Sequence, residues 1–381
     1  MLRPLIFIGC FITLTSWAQD SLYTRNAIGY LTSKKCYGRG YLNNGLQYAE
    51  QFLISEIRKT KAQPLFGKSF TQSFIHSVNT FPANCEVSLN GQKLRPGLDF
   101  ILNPSSLGVK GQFDLTQKDS VHFENADKKK SVIVSLHKKL TYSVASEVKT
   151  YCEILLDKNR LKESPKNIRL NIKNKLVNKF ESKNIGCLIK GSLNSDSVIV
   201  FSAHYDHLGG MGKNTFFPGA NDNASGVSFL LNLLKYYNNN PPKYTHVFIW
   251  FAGEEAGLVG SNYFVRNSPI SLDKIKFLIN MDLLGTGDDG IMVVNGTIYK
   301  NEFNKLLELN SKLNLVKEIK KRGKAANSDH YWFSESNVPC FFIYTLGGIS
   351  AYHDIHDIEK TLPLTDYFDV FKLVTTFISE L

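Results

Sequence analysis

Three apolar runs, SVIVFSA, THVFIWFA and KFLINM, each stop within a few residues of an acid or an imidazole. The first closes at His204, the second leads into Glu254 and Glu255, and the third ends at Asp282. Runs rich in Val, Ile and Phe with no polar alternation form strands buried on both faces, the condition of a parallel sheet covered by helices. IRLNIKNKL, NIGCLIKG, GIMVV and CFFIYT read as further strands. Between them, residues 225–237, 258–267, 302–313, 329–336 and 365–381 carry helical spacing. From residue 168 onward the alternation therefore implies an α/β fold, with a mixed, mostly parallel central sheet and helices on both faces. Ligands of such sheets sit beyond the carboxyl ends of the strands. That places His204, Glu254, Glu255 and Asp282 along one rim.

The chain ahead of this region has a different texture. Residues 40–61 read as a helix with Tyr48, Phe52, Ile54 and Ile57 on its apolar side, and FGKSFTQSF reads as a strand. VSLNGQKLRPGLDFILN and SVIVSLHKKLTYSV then look like short β segments between Gly-, Pro- and Asp-rich turns. We divide the chain into residues 19–82, an N-terminal part of the main domain; 83–165, an inserted β-rich lobe; and 166–381, the main domain.

Residues 1–18 are set apart as a secretory signal. A weakly basic start at Arg3 precedes an apolar run over residues 5–14 and the small-residue site Ser16-Trp17-Ala18, with cleavage expected after Ala18. Spanning a bilayer takes about 20 apolar residues, so this run is too short, and no other segment qualifies. The mature chain is expected to be exported, periplasmic or extracellular, without an integral membrane segment. Lipid anchoring at Cys10 is disfavoured because the apolar run continues past it. The net charge of +11 raises the question of an anionic partner. The lysines are scattered, with tight runs only at 128–130 and 320–322, so they read as a solvated surface and no nucleic-acid partner is expected. Removing Cys10 from the six cysteines leaves an odd, widely spaced set with no CxxC pair. That excludes a disulfide scaffold and a thiolate zinc site, while one disulfide stays possible. Cys340, inside VPCFFIY, reads as core.

Each candidate site residue has an ordinary reading beside the chemical one. His204 alone would pass for a loop histidine; Asp206, two residues on, could fix its tautomer if it ligates a metal. His207 reads as a loop residue. Asp222 in GANDNASG could be a helix cap or a carboxylate bridging two ions. Glu254 and Glu255 are more telling. Two adjacent acids after an apolar run are costly unless paired or bound to metal, although an acidic pair starting a helix is the plain alternative. A metal gives them separate tasks: Glu255 ligates, and Glu254 stays free as general base for an activated water. A strand-end cap is the plain reading of Asp282. In AYHDIHD either His353 or His356 could ligate. Two histidines and three carboxylates suffice for two zinc ions sharing one carboxylate.

Taken together, AHYDHLG, GANDNASGV, FAGEEAGLVGS, INMDLLG, SDHYWFSESNVPCFFIY and YHDIHDIEKT resemble the zinc aminopeptidases, co-catalytic di-zinc exopeptidases related to glutamate carboxypeptidase and glutaminyl cyclase. CYGRGYLNNGLQYAEQFLISEI resembles the opening helix of that family. The resemblance implies that His204 and Asp282 bind opposite ions, that Asp222 bridges, that Glu255 completes the His204 site and His353 the Asp282 site, and that Glu254 is the base. A His followed after three residues by Asp picks His353, with Asp357, over His356. Tyr352 resembles a residue that hydrogen-bonds the oxyanion in some members, and Asp222–Asn223 resembles their non-proline cis peptide. Asp354-Ile355 replaces the usual Thr-Pro, a departure at the substrate pocket, and the lobe stands where some relatives carry a protease-associated domain.

The function implied is an exported zinc-dependent aminopeptidase acting on peptides. Arginine is sparse beyond residue 170, with Arg266 and Arg322, which argues against a carboxypeptidase of the same fold, since a terminal carboxylate favours bidentate arginine. Glutaminyl cyclisation is the other rival, and it implies one zinc where this donor set suffices for two. Manganese or cobalt would also suit such ligands.

Overall fold

The computed structural model describes residues 17–127, 129–193 and 196–381. The segment expected to be a secretory signal, with Cys10, therefore lies outside the described residues, apart from Trp17 and Ala18, which fall at the start of the helix Trp17–Leu31.

A mixed sheet forms the main body. Across it run Gln63–Pro64, Lys175–Ile189, Thr245–Phe251, Val198–His204, Ile275–Met281, Cys340–Thr345, Ile291–Val294 and Ile319–Arg322, with Thr71–Thr80 also paired to Lys175–Ile189. The four central strands, from Thr245–Phe251 to Cys340–Thr345, are mutually parallel, and antiparallel pairs flank them on both sides. The expected fold class is thus observed. Val198–His204 is buried along its whole length, and its side chains split by the period of two. Ile199, Phe201 and Ala203 join the larger core, whereas Val198 and Val200 join the smaller one.

Helices cover both faces. Trp17–Leu31, Gly45–Ile57, Gly226–Asn239, Lys300–Leu313 and Tyr367–Ser379 supply residues to the larger core. Phe264 and Phe333, from Val259–Arg266 and His330–Glu335, join the smaller. The Gly45–Ile57 helix is narrower than expected and rotated. Leu46, Ala49, Leu53 and Ile57 are buried, while Tyr48, Phe52 and Ile54 only border the core. The buried set keeps strict i, i+3/i+4 spacing, and that decides which stripe faces the sheet.

The β-rich lobe contains two sheets, and the second takes in Asn167–Asn171, expected as a strand of the main domain, because both of its edges pair with lobe strands. One comprises Phe100–Leu102, Cys152–Asp157, Val132–His137, His122–Glu124 and Thr116–Gln117; the other comprises Gln92–Lys93, Glu86–Leu89, Asn167–Asn171 and Lys110–Asp114. Its core extends beyond the lobe to Leu208, Met211 and Phe217 of the main body. The five described cysteines are buried and unpaired. Among the described residues, no helix is long and apolar enough to cross a membrane.

Candidate metal centre

The five expected donors meet at the carboxyl rim of the central strands, with Asp222 in the middle. His204 Nε2 lies 3.3 Å from Asp222 Oδ1 and 3.4 Å from Asp282 Oδ1. On the other side, His353 Nε2 lies 3.0 Å from Asp222 Oδ2 and 3.4 Å from Glu255 Oε2. Glu254 and Tyr352 join these residues in lining one cavity of about 440 Å³. His356 is absent from that lining, so the choice of His353 agrees with the geometry.

The pairing of donors differs from the one implied by the resemblance. His204 shares its side of Asp222 with Asp282, and Glu255 shares the other with His353. Strand order explains this. Ile275–Met281 is a direct neighbour of Val198–His204, so the two strand ends deliver Asp282 and His204 together. Glu255 follows Thr245–Phe251, which pairs with the opposite edge of Val198–His204.

Backbone and second-layer contacts aim these side chains. The His204 Nδ1–H donates to the Asp206 carbonyl at 3.2 Å, leaving Nε2 to face the carboxylates. The Asp206 carboxylate lies 3.7 Å from His204 Nδ1, beside the imidazole it was expected to orient, and has a second task. It accepts from the backbone N–H of Glu254 at 3.2 Å and of Glu255 at 3.3 Å, and so positions the glutamate pair. Asp357 does the same for Asp222, accepting from the N–H groups of Asn221 and Asp222 at 2.8 and 3.0 Å. Ser328 donates to Asp282 Oδ2 at 3.0 Å, and Asn280 donates to Ser328. The peptide between Asp222 and Asn223 is cis.

The electrostatics favour a cation. Burial alone would lower the His353 imidazole, but Glu255 and Asp222 outweigh it and raise it to about 9. His204 is likewise opposed by burial and driven well above its ordinary value by Asp282 and Glu254. Burial raises Asp282, and raises Glu254 strongly, with Glu255, Asp329 and Asp282 adding to the effect on Glu254. A pocket that pulls imidazoles toward the charged form has the field a divalent ion needs. Asp282 Oδ1 is buried with no hydrogen-bond partner, as an oxygen reserved for an ion would be. His204, Asp222 and Asp282 can converge on a single ion.

Two residues of the centre were not legible as such. His207 is fully buried, its Nδ1–H donates to Glu255 Oε1 at 2.6 Å, and it can converge with Asp222 and Glu255. It reads from sequence as a loop residue, and the loop is seated against the lobe, whose core takes in the adjacent Leu208.

Arg39 is the second. It is completely buried, and its guanidinium makes hydrogen bonds to five backbone carbonyls, those of Leu31, Tyr205, Pro218, Gly219 and Asp222. All five guanidinium N–H donors can be matched in this way. Arg39 thereby ties the chain after His204 to the turn that carries Asp222. The flanking glycines were the available signal. A Cβ on Gly38 would meet the Gly209 oxygen at 2.3 Å, and one on Gly40 would meet the Gly209 Cα at 2.4 Å. Arg39→Met strands these carbonyls, so a loss of at least about 3 kcal/mol is expected. Arg39→Lys should recover only part, because an ammonium lacks the fork. Urea unfolding checks both, and a Met variant as stable as the parent would refute the clamp.

A parallel-centred α/β sheet with His and carboxylate donors at its carboxyl rim defines the class of metallohydrolases. Within that class, residues 184–378 match Peptidase family M28, and the chain belongs to this family. A probable leucine aminopeptidase of Arthroderma otae is 29% identical over 217 residues, covering 54% of this chain and 60% of that protein. The chain thus spans less than two thirds of the length of the curated relatives it matches first. Among solved structures, a zinc aminopeptidase of Bacillus subtilis aligns with a TM-score of 0.69 at 18% identity, covering 94% of this chain and 95% of that one. A Peptidase M28 precursor from Shewanella amazonensis aligns at 0.67 and 13%, covering 95% and 94%. At these identities the likeness establishes the shared fold.

Proposed function

We propose that the chain is an exported zinc-dependent aminopeptidase. The observation that carries the proposal is the convergence of His204, Asp222, Glu255, Asp282 and His353 on the floor of one cavity. Two zinc ions would be held here, one by His204, Asp222 and Asp282 and the other by Asp222, Glu255 and His353. Each would have three protein donors and an open position. Bound there, zinc supplies Lewis acidity toward a carbonyl and acidifies water.

The remaining work falls to the chain. Glu254 lines the cavity without being needed as a ligand, so its carboxylate is free to accept the proton of the attacking water and pass it to the leaving amine. Tyr352 stacks on His353 with ring centroids 4.0 Å apart. Tyr352 is partly exposed, and partial desolvation, with Asp222, Glu255 and Asp282, raises its phenol, which stays protonated and able to donate to the carbonyl oxygen. The cavity lining includes four acids and, among the described residues, neither lysine nor arginine. That balance favours a substrate ammonium over a terminal carboxylate. Leu258, Leu283, Ala326 and Phe342 supply an apolar wall, which suits an uncharged N-terminal side chain. Export rests on the apolar stretch of residues 5–14 and its small-residue site.

A reporter panel tests this reading. Leucyl and phenylalanyl reporters should be hydrolysed at least about tenfold faster than glutamyl or lysyl ones. Chelation should abolish turnover, and zinc should restore it. Cleavage only from the carboxyl end, or pyroglutamate formation without hydrolysis, would replace the proposal with one of its rivals.

A further inference from the structure

We infer that the β-rich lobe is a working part of the metal centre: its segment 139–143 holds His353 in the orientation that turns Nε2 toward Asp222 and Glu255, and its Ser143 walls the substrate cavity. The inference rests on the metal reading above.

Two hydrogen bonds join the lobe to this one residue. The His353 Nδ1–H donates to the Tyr142 carbonyl at 3.0 Å, and the Tyr142 N–H donates to the His353 carbonyl at 2.9 Å. A carbonyl only accepts, so Nδ1 must carry a proton, and Nε2 is left as the face for a ligand. His353 has a φ of 53°, a left-handed backbone that a non-glycine residue keeps only where its surroundings hold it. Beside this pair, the Lys139 ammonium donates to the Ser350 carbonyl at 2.7 Å and lies 3.7 Å from Asp354. Residues 139–142 thus run along 350–354 and grip both sides of His353.

The grip is anchored from within the lobe. The Tyr142 ring is buried and stacks on Phe217, with centroids 4.4 Å apart and planes 7° apart. The lobe core takes in Leu208, Met211 and Phe217 and has Ile355 against it. Leu208 follows His204, Phe217 precedes Asp222, and Ile355 follows His353. Three of the loops bearing donors are therefore seated on one apolar core. Ser143 lines the same cavity as Glu254 and Tyr352, so a bound peptide meets the lobe directly. A lobe that merely covered the body would have no reason to aim a carbonyl at a ligand imidazole.

The test compares the full chain with its Tyr142→Ala, Tyr142→Phe and Lys139→Ala variants. Zinc is stripped, and affinity for each ion is read by competition with a chromophoric chelator. Tyr142→Ala should weaken one of the two ions by about 10–100-fold, with circular dichroism like the parent. Tyr142→Phe, which keeps the ring on Phe217, should restore most of that affinity. Lys139→Ala, at an exposed position, should lower it less and with the same sign. Should Tyr142→Ala fail to fold, the Lys139 variant still reports. So does the unmodified zinc-loaded protein, where the His353 Nδ1 proton should exchange slowly. Folded variants with parental affinity for both ions, or rapid exchange of that proton, would overturn the inference alone. A parent that binds no zinc would overturn the metal reading as well.

Discussion

Replacing Glu254 by Gln is expected to lower kcat on an aminoacyl reporter by about 10²–10⁴-fold, with zinc content and KM close to the parent. The side chain lies in the cavity and is not among the donors that converge on Asp222. Its backbone N–H is held by Asp206, so the amide variant should keep the same chain path. Burial, reinforced by Glu255, Asp329 and Asp282, raises its affinity for a proton. A carboxylate in such surroundings is a stronger base than one in water, whereas an amide of the same shape cannot take the proton at all. Steady-state kinetics with metal analysis on the same sample separates the cases. A Gln variant with parental kcat would remove Glu254 from the chemistry. One that loses zinc would make it a ligand instead.

The second large effect is expected at Asp222. Its two oxygens face the two halves of the centre, Oδ1 toward His204 and Oδ2 toward His353. Asp222→Ala removes the shared donor and leaves the imidazoles with one carboxylate each. Zinc retained after dialysis should fall below one ion per chain. Losing several kcal/mol of charge stabilisation corresponds to a drop in kcat/KM on the order of 10³-fold or more. The parent should gain thermal stability on adding zinc, because an ion that binds only the folded state stabilises it by mass action; the variant should gain little. A variant that keeps two ions would show that the donors work as separate sites and not around a common carboxylate.

These residues were legible in the sequence because each violates its surroundings. His204 closes a fully buried strand, Asp282 directly follows a largely buried one, and Glu254 and Glu255 come three and four residues after a third. A polar group so placed needs a partner. The central strands were legible for the related reason that strands buried on both faces must be apolar throughout. Strand order was not, and the pairing of His204 with Asp282 depends on it. The edge of Val198–His204 that each neighbour takes is a property of the assembled sheet.

Arg39, His207 and Tyr142 were missed for a different cause. Their partners are backbone atoms or lie far off in sequence. Four of the five carbonyls that Arg39 meets lie 166 to 183 residues away, and Tyr142 meets His353 across 211 residues. A carbonyl is present in every residue, so nothing in the chain marks which one an arginine or an imidazole will find. The lobe's part in the centre was hidden in the same way. Its segment 139–143 carries no acid and no histidine, and contributes to His353 through the main chain.

Diffraction at the zinc absorption edge, on crystals grown with zinc, tests the central claim most directly. Two anomalous peaks are expected about 3.5–4 Å apart, one bounded by His204, Asp222 and Asp282 and the other by Asp222, Glu255 and His353. A single peak held by His207 and Glu255, or no peak beside Asp222, would contradict the account.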